Sequence, residues 1–142
     1  YGFKYALGGI VSIKASDFEK VNGFPNYWGW GFEDNELQKR VLKNNMKINR
    51  SQFYDIMDKN IIQFQHGFER PINRGDMQKY KSNSNEGINS IKNLQYINKD
   101  DFIDINSFDT GRIEDSTKRM SYDLKKGNKI NLKRIGALKM CF

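Results

Sequence analysis

The chain contains a single cysteine, Cys141, next to its last residue. One thiol cannot form an internal disulfide, and it cannot supply the several thiolates of a structural zinc site. The sequence therefore excludes a disulfide framework and a cysteine-based metal cluster within the chain. Its cysteine content also gives no indication of a redox compartment.

Long hydrophobic runs are also absent. No apolar run approaches the roughly 18 consecutive residues that indicate a transmembrane helix, and the first residues do not form the pattern of a signal peptide. We therefore predict no membrane contact within this segment. The chain begins with Tyr1 rather than methionine, and residues 1–13 read as the interior of a domain, so we expect a fragment.

The composition is polar and basic, but it is not that of a disordered chain. The 142 residues are 37% hydrophobic and 13% aromatic, which permits one folded domain with a core. The net charge is +7 and the isoelectric point is about 9.4. A basic protein attracts nucleic acid, anionic lipid or nucleotide phosphates, and charge alone does not choose among these partners.

Local patterns near the start of the chain predict short elements. Residues 3–13 are apolar around a glycine pair and predict one or two strands with a tight turn. Ser16 and Glu19 form a capping-box pattern at the start of a short helix, and Gly23 is the expected left-handed residue that ends it. Residues 24–32 contain one proline and two glycines, which predict a loop.

A second helix is predicted to begin at Glu33. Its apolar face carries Leu37 and Val41, four residues apart, with Leu42 beside them. The later predicted elements are strands at 46–57, 60–66, 88–97 and 128–142, and a long loop or lid with a helical piece at 67–86.

The stretch NYWGWGFEDNE (26–36) places aromatic rings beside carboxylates. The indole faces of Trp28 and Trp30 can stack on the apolar face of a sugar, while Glu33 and Asp34 accept hydrogen bonds from its hydroxyls. The glycines between the indoles let a ligand approach the backbone. A carboxylate at a helix start stays ionised near pH 7 and can accept a proton from a hydroxyl.

The same stretch also has a purely structural interpretation. An aromatic loop often fills a core, and a carboxylate at a helix start ordinarily stabilises the helix dipole. From spacing alone the two interpretations are equally favoured.

Three motifs, in order, resemble the C-terminal half of the β-1,4-galactosyltransferases. They are GG (8–9), NGFPNYWGWGFED (22–34) and EGINS (86–90). That family shows a GG turn, a helix ending in NGF, a WGWGxED loop and a downstream D/E-G-L-N-S/T element. The resemblance covers roughly residues 3–97, and WGWG followed by ED is its most specific part.

The resemblance implies an α/β fold, the C-terminal part of a GT-A type nucleotide-sugar transferase with a mixed sheet and short helices. Residues 1–97 would form the acceptor and catalytic domain, residues 98–142 an extension of unassigned role, and the donor-binding half would lie outside this chain. The implied reaction is inverting transfer of galactose or N-acetylgalactosamine from a UDP-sugar to a glycan hydroxyl, usually with manganese. Family members commonly lie in the Golgi lumen behind an N-terminal anchor.

The family's catalytic roles transfer to matching positions of the WGWGxED motif. The resemblance implies that Asp34 is the catalytic base and that Glu33 holds sugar hydroxyls. It implies that Trp30 and Gly31 line the donor and acceptor sites, and Trp28 adds a second stacking surface. The metal would stabilise the departing diphosphate as a Lewis acid.

Further candidates lie outside that motif or depart from the family pattern. Asn35 stands where the family often has a second acid and is a candidate acceptor contact. Phe3 and Ala6 precede the glycine pair, and Ala6 aligns with a residue that distinguishes galactose from N-acetylgalactosamine. His66 aligns with a metal-binding histidine, and Gln63 stands where the family often has a metal-binding methionine.

One motif of the family is missing from the chain, so other functions remain open. The chain contains no D-x-D motif, which in the family holds metal and diphosphate. The alternative function is a non-catalytic carbohydrate-binding remnant without a donor site. A nucleic-acid module ranks last, because the basic residues are scattered and the most aromatic segment is bounded by carboxylates that repel phosphate.

Overall fold

A computed structural model describes residues 5–54, 58–62, 64 and 67–126, which form short helices and short antiparallel strands. The helices are α1 (Ala15–Lys20), α2 (Glu33–Lys43) and α3 (Arg74–Lys81). The strands are β1 (Glu69–Asn73), β2 (Lys92–Lys99), β3 (Phe102–Asp109) and β4 (Arg119–Asp123). Single turns of 3₁₀ helix lie at Ile88–Ser90 and Ser116–Lys118.

The strands form two separate antiparallel pairs. In one pair β1 and β4 align Glu69 with Asp123 and Asn73 with Arg119. In the other pair β2 and β3 form an exposed hairpin. The predicted α/β class and the short helices are confirmed, whereas a mixed sheet is not found among the described residues. None of the helices in these residues is long and apolar enough to span a membrane.

The core lies on one face of α2. Leu37 is fully buried and Val41 is 4% exposed, and both pack against Val21 after α1. The predicted spacing of four residues therefore identifies the buried face correctly. Leu42 is 53% exposed, so the expectation that it joins this face is wrong. A step of one residue turns a helical side chain by about 100° and carries Leu42 away from the core.

The start of α1 differs from its predicted cap, and its end agrees. The helix begins after Lys14, whose side chain makes no capping hydrogen bond, so the predicted capping box at Ser16 and Glu19 is wrong. Ser16 lies inside the helix, where its backbone cannot adopt the extended capping conformation. Gly23 has φ of +59°, which confirms its predicted left-handed conformation.

Several predicted strands are not formed in the described residues. Residues 5–13, 46–54 and 60–62 contain no strand. A β-rich segment becomes a strand only where a partner receives its backbone hydrogen bonds, and here the Leu7 N–H donates to the Asp34 carbonyl oxygen of α2 at 3.1 Å. The predicted strand positions at 55–57, 63, 65–66 and 128–142 lie outside the described residues.

The segment from residue 67 onward is more regular than predicted. The expected helical piece within 67–86 is confirmed as α3, but β1 precedes it where a loop was predicted. The strand predicted at 88–97 begins only at Lys92, because a 3₁₀ turn occupies Ile88–Ser90. Strands β3 and β4 lie in the weakly patterned tail, where no strand was predicted.

Candidate active site

The loop that precedes α2 turns back on itself through Glu33. The Gly31 N–H donates to the Glu33 Oε2 carboxylate oxygen at 2.8 Å. Gly31 has φ of +115°, and apart from its chain neighbours no atom in the described part of the chain lies within 4 Å of the position where a Cβ would stand. The open side of Gly31 therefore allows a ligand to approach the backbone next to two carboxylates, those of Glu33 and Asp34.

The aromatic–glycine loop, defined here as residues 26–32, lies on β1. The Trp30 N–H donates to the Pro71 carbonyl oxygen at 2.7 Å. At Gly29 a Cβ would lie 2.3 Å from the Asn73 backbone nitrogen, so the loop packs against β1 without room for a side chain. This backbone contact explains a glycine that the spacing of the motif alone could not explain.

The two indoles of the loop have different environments. Trp30 stacks on Tyr122 of β4, with ring centroids 6.4 Å apart and an interplanar angle of 18°. Trp28 is 50% exposed. The exposed Trp28 face is free to stack on a sugar, while the orientation of Trp30 is set partly by a residue of the tail.

Asp34 lies in the first turn of α2, close to the glycine pair. A Cβ on Gly8 would stand 2.2 Å from the Asp34 Oδ2 atom, so only glycine leaves the carboxylate its position. Burial and, to a smaller extent, the neighbouring Glu33 charge together raise the pKa of Asp34 from 3.8 to about 6. A carboxyl with such a pKa can take up and release a proton near neutral pH.

Two other candidate residues, Asn35 and Ala6, make hydrogen bonds with other parts of the chain. The Asn35 side-chain amide donates to the Tyr5 carbonyl oxygen at 2.9 Å, and the Ala6 carbonyl oxygen accepts from Arg50 at 2.8 Å. The bond from Asn35 and the bond from the Leu7 N–H to the Asp34 carbonyl oxygen place Tyr5–Leu7 along the first turn of α2. Phe3, the remaining candidate of this group, lies outside the described residues.

The candidate metal ligands His66 and Gln63 also lie outside the described residues. Across 5–54, 58–62, 64 and 67–126, no group of three or more His, Cys, Asp or Glu side chains is placed to bind a metal.

Arg40 is a buried residue of the site region that the sequence pattern did not reveal. Its guanidinium donates to the carbonyl oxygens of Asn22 and Gly23 at 3.0 and 2.9 Å and to that of Glu86 at 2.6 Å. It also pairs with Glu36 one turn earlier in α2 at 3.3 Å. Arg40 thus connects the NGF motif with the EGINS segment (residues 86–90).

Side chains of the two motifs also contact each other directly. The Asn22 side chain donates to the Asn89 side chain at 3.0 Å and accepts from its backbone N–H at 2.9 Å. Asn26 donates to the Ser90 hydroxyl at 2.6 Å. A Cβ on Gly87 would lie 2.0 Å from the Asn22 carbonyl oxygen, which accounts for the glycine of EGINS. The sequence contained both motifs, but their contact is visible only in the tertiary structure.

The known proteins that resemble this chain include galactosyltransferases. A family model described as the N-terminal domain of galactosyltransferase matches residues 1–67. That description differs from the C-terminal half that the motifs resemble, and which half the chain represents stays a prediction. No solved structure gives a significant match.

Three curated relatives illustrate the similarity. Human beta-1,4-galactosyltransferase 5 is 32% identical over 91 residues, which cover 63% of this chain and 23% of the relative. The xylosylprotein 4-beta-galactosyltransferase of Caenorhabditis elegans is 30% identical over 87 residues, covering 61% and 29%. Beta-1,4-galactosyltransferase 4 of Rattus norvegicus is 47% identical over 53 residues, covering 35% and 15%. The matched part of the chain thus spans less than a third of each relative.

Proposed function

The chain belongs to the galactosyltransferase family, and we propose that it supplies the acceptor-binding and catalytic side of a galactosyl transfer. The donor is a UDP-sugar carrying galactose or N-acetylgalactosamine, and the acceptor is a hydroxyl of a glycan. The observation that carries this proposal is the Asp34 carboxylate, held beside Gly8 with a pKa of about 6.

In the proposed reaction Asp34 is the general base. The acceptor hydroxyl gives its proton to the Asp34 carboxylate while its oxygen forms a bond to the anomeric carbon of the donor sugar. The bond from that carbon to the diphosphate oxygen breaks on the opposite face, and the electron pair leaves with the nucleotide. With a pKa of about 6, roughly nine in ten Asp34 carboxylates are ionised at pH 7 and available as the base.

The aromatic–glycine loop would bind and orient the sugar. The exposed face of Trp28 offers a stacking surface, and the open side of Gly31 leaves space beside the carboxylates. Glu33 is already bonded to the Gly31 N–H through one oxygen, which leaves its other oxygen for a sugar hydroxyl. Holding the acceptor in this way supplies the orientation that makes the transfer effectively intramolecular.

We also propose that His66 and Gln63 contribute to a manganese site. An imidazole nitrogen and an amide oxygen are both acceptable ligands for this ion. Manganese, when bound, would stabilise the charge of the departing diphosphate. Among the described residues no group of ligands completes such a site, so no step above depends on the metal.

Transfer is tested with tritiated UDP-galactose, manganese and methyl β-glycosides of xylose, glucose and N-acetylglucosamine. A labelled disaccharide that requires the chain supports the proposal. Binding of a glycoside without transfer, equally strong in manganese and in EDTA, would instead favour the carbohydrate-binding alternative. If neither transfer nor glycoside binding is observed, both the proposed transfer and the carbohydrate-binding alternative are overturned.

The pH dependence should change in the Glu33→Gln variant. Burial is the main cause of the raised Asp34 pKa, and the Glu33 charge is the second cause, so removing that charge lowers the pKa from about 6 without restoring the ordinary value. The acidic limb of the kcat/KM profile should then move to lower pH. Carboxyl ¹³C NMR measures the Asp34 titration directly. An unchanged or higher midpoint would contradict the assigned cause.

The Gly8→Ala variant should lose catalysis with little loss of stability. The added methyl group would meet the Asp34 carboxylate, which is the movable end of a side chain and can rotate away. Misplacing the base by about 1 Å costs on the order of 100-fold in rate. Gly67→Ala is the matched control, because among the described residues no atom beyond its chain neighbours lies within 4 Å of its Cβ position. Wild-type kcat in Gly8→Ala would show that this contact does not position the base.

A further inference from the structure

Arg112 lies between two carboxylates behind the aromatic–glycine loop. Its Nη2 atom donates to the Asp76 Oδ1 atom at 3.1 Å, and its Nη1 atom lies 2.8 Å from the Glu86 Oε2 atom. The second contact is an ion pair without a hydrogen bond. The Arg112 and Asp76 side chains are 9% and 5% exposed, so this pair is almost fully removed from water.

The second oxygen of the Asp76 carboxylate holds the loop. Its Oδ2 atom accepts the Trp28 N–H at 2.7 Å and the Gly29 N–H at 2.8 Å. Hydrogen bonds to a carboxylate are stronger than those between neutral groups. The conformation of the loop at its exposed indole therefore depends on the orientation of one buried carboxylate, and Arg112 is the cation that contacts it.

Arg112 also reaches the other family motif. Glu86 opens the EGINS segment, and its side chain receives a second cation from Lys79 of α3 at 3.2 Å. The two carboxylates and the two cations balance in charge. Arg112 itself lies between β3 and β4, far along the chain from both motifs.

We propose that Arg112 is a positioning residue that orders the Trp28 indole for the acceptor sugar by fixing the Asp76 carboxylate, an inference that rests on the proposed function. Without Arg112, Asp76 would remain buried without this counter-charge. The carboxylate would then turn toward water and release the Trp28 and Gly29 N–H groups. The loop would lose its single conformation while α2 and its core contacts remain.

Hydrogen exchange of the 142-residue chain tests the first part of this inference without any ligand. In Arg112→Gln, exchange should rise about tenfold in the peptide covering 26–32 and stay unchanged in the α2 peptide. Arg112→Lys keeps one cation at the site and should restore part of the protection. The matched control is Arg119→Gln, since the Arg119 side chain is exposed and forms its ion pair with Glu114. Equal acceleration in both peptides, or none in the loop, would overturn the inference.

Sugar binding tests the second part. Titration of the methyl glycosides, followed by tryptophan fluorescence, should show Kd weakened about tenfold or more in Arg112→Gln. Unchanged Kd in a variant whose loop exchanges faster would show that loop order does not serve the acceptor. If the wild-type chain binds no glycoside, the proposed function fails, and the exchange result still decides whether Arg112 holds the loop. If Arg112→Gln does not fold, Glu86→Gln is used in both measurements instead. This variant removes the charge of the second carboxylate that contacts the Arg112 guanidinium.

Discussion

The Asp34→Asn variant is expected to lose transfer by about 10²–10⁴-fold, the usual contribution of a positioned general base. The amide has almost the same shape as the carboxyl and should keep its place beside Gly8, so acceptor binding should remain. Initial rates and glycoside Kd, measured on the same preparation, separate the two effects. A variant that still turns over at the wild-type rate would remove Asp34 from the role of base.

The same variant should be more stable than the wild type at pH 7. Because the folded pKa of Asp34 is raised from 3.8 to about 6, the folded state binds more protons within that interval. The wild type therefore loses stability as pH rises from 3.8 to about 6, and above about pH 6 this loss of stability is complete. Since the carboxyl is partly exposed and screened, we expect a gain of only about 1 kcal/mol on substitution.

A pH series of unfolding measurements checks this sign. The stability difference between Asp34→Asn and wild type should be largest at pH 7 and should disappear as pH falls toward the ordinary pKa of 3.8. Asp101→Asn, at an exposed turn between β2 and β3, is the control for an Asp-to-Asn substitution away from the site. A stability gain that persists unchanged at low pH would contradict the raised pKa.

The Arg40→Met variant should have the largest effect on stability, about 3–5 kcal/mol of unfolding free energy. Methionine fills much of the same volume but removes the guanidinium donor from the carbonyl oxygens of Gly23 and Glu86. The Asn22 carbonyl oxygen also loses this donor and keeps the Ile88 N–H at 3.2 Å. The substitution also removes the buried ion pair between Arg40 and Glu36, whose charged atoms lie 3.3 Å apart. Urea unfolding followed by circular dichroism measures the loss. Many domains have a total stability of about 5–15 kcal/mol, so the variant could lose much of its folded population.

Lys39→Met is the matched control for Arg40→Met. Lys39 lies next to Arg40 on α2 and pairs with the same Glu36, but its side chain is 43% exposed. An exposed pair contributes about 0–1 kcal/mol, so the control should remain close to wild type. Arg40→Lys keeps the charge but lacks the planar fork and should fall between the two. Equal effects of Lys39→Met and Arg40→Met would show that the guanidinium contacts add nothing beyond charge.

Local sequence patterns were sufficient for the elements that depend on neighbouring residues. The start of α2 at Glu33, the buried pair Leu37 and Val41 and the left-handed Gly23 all follow from spacing or from backbone freedom. The same motifs indicated the family, because aromatic, glycine and acidic residues lie within one short segment. These features need no information about distant parts of the chain.

Tertiary structure decided where strands form. The apolar residues 5–13 have strand propensity but no strand partner in the described part of the chain, whereas the polar segment 119–123 pairs with 69–73. Strand formation depends on the partner that accepts the backbone hydrogen bonds, and that partner is distant in sequence. Hence the strands of the tail were missed and those near the start were predicted wrongly.

The chemistry of the candidate site also depends partly on local sequence and partly on tertiary contacts. The sequence by itself determined that Asp34 stands at a helix start beside Glu33 and follows two indoles. Only the tertiary structure brought Gly8 against the Asp34 carboxylate, raised its pKa by burial, and placed Arg112 behind the loop. Burial and ion pairing are sums over neighbours that are far apart in the chain, so no local pattern encodes them.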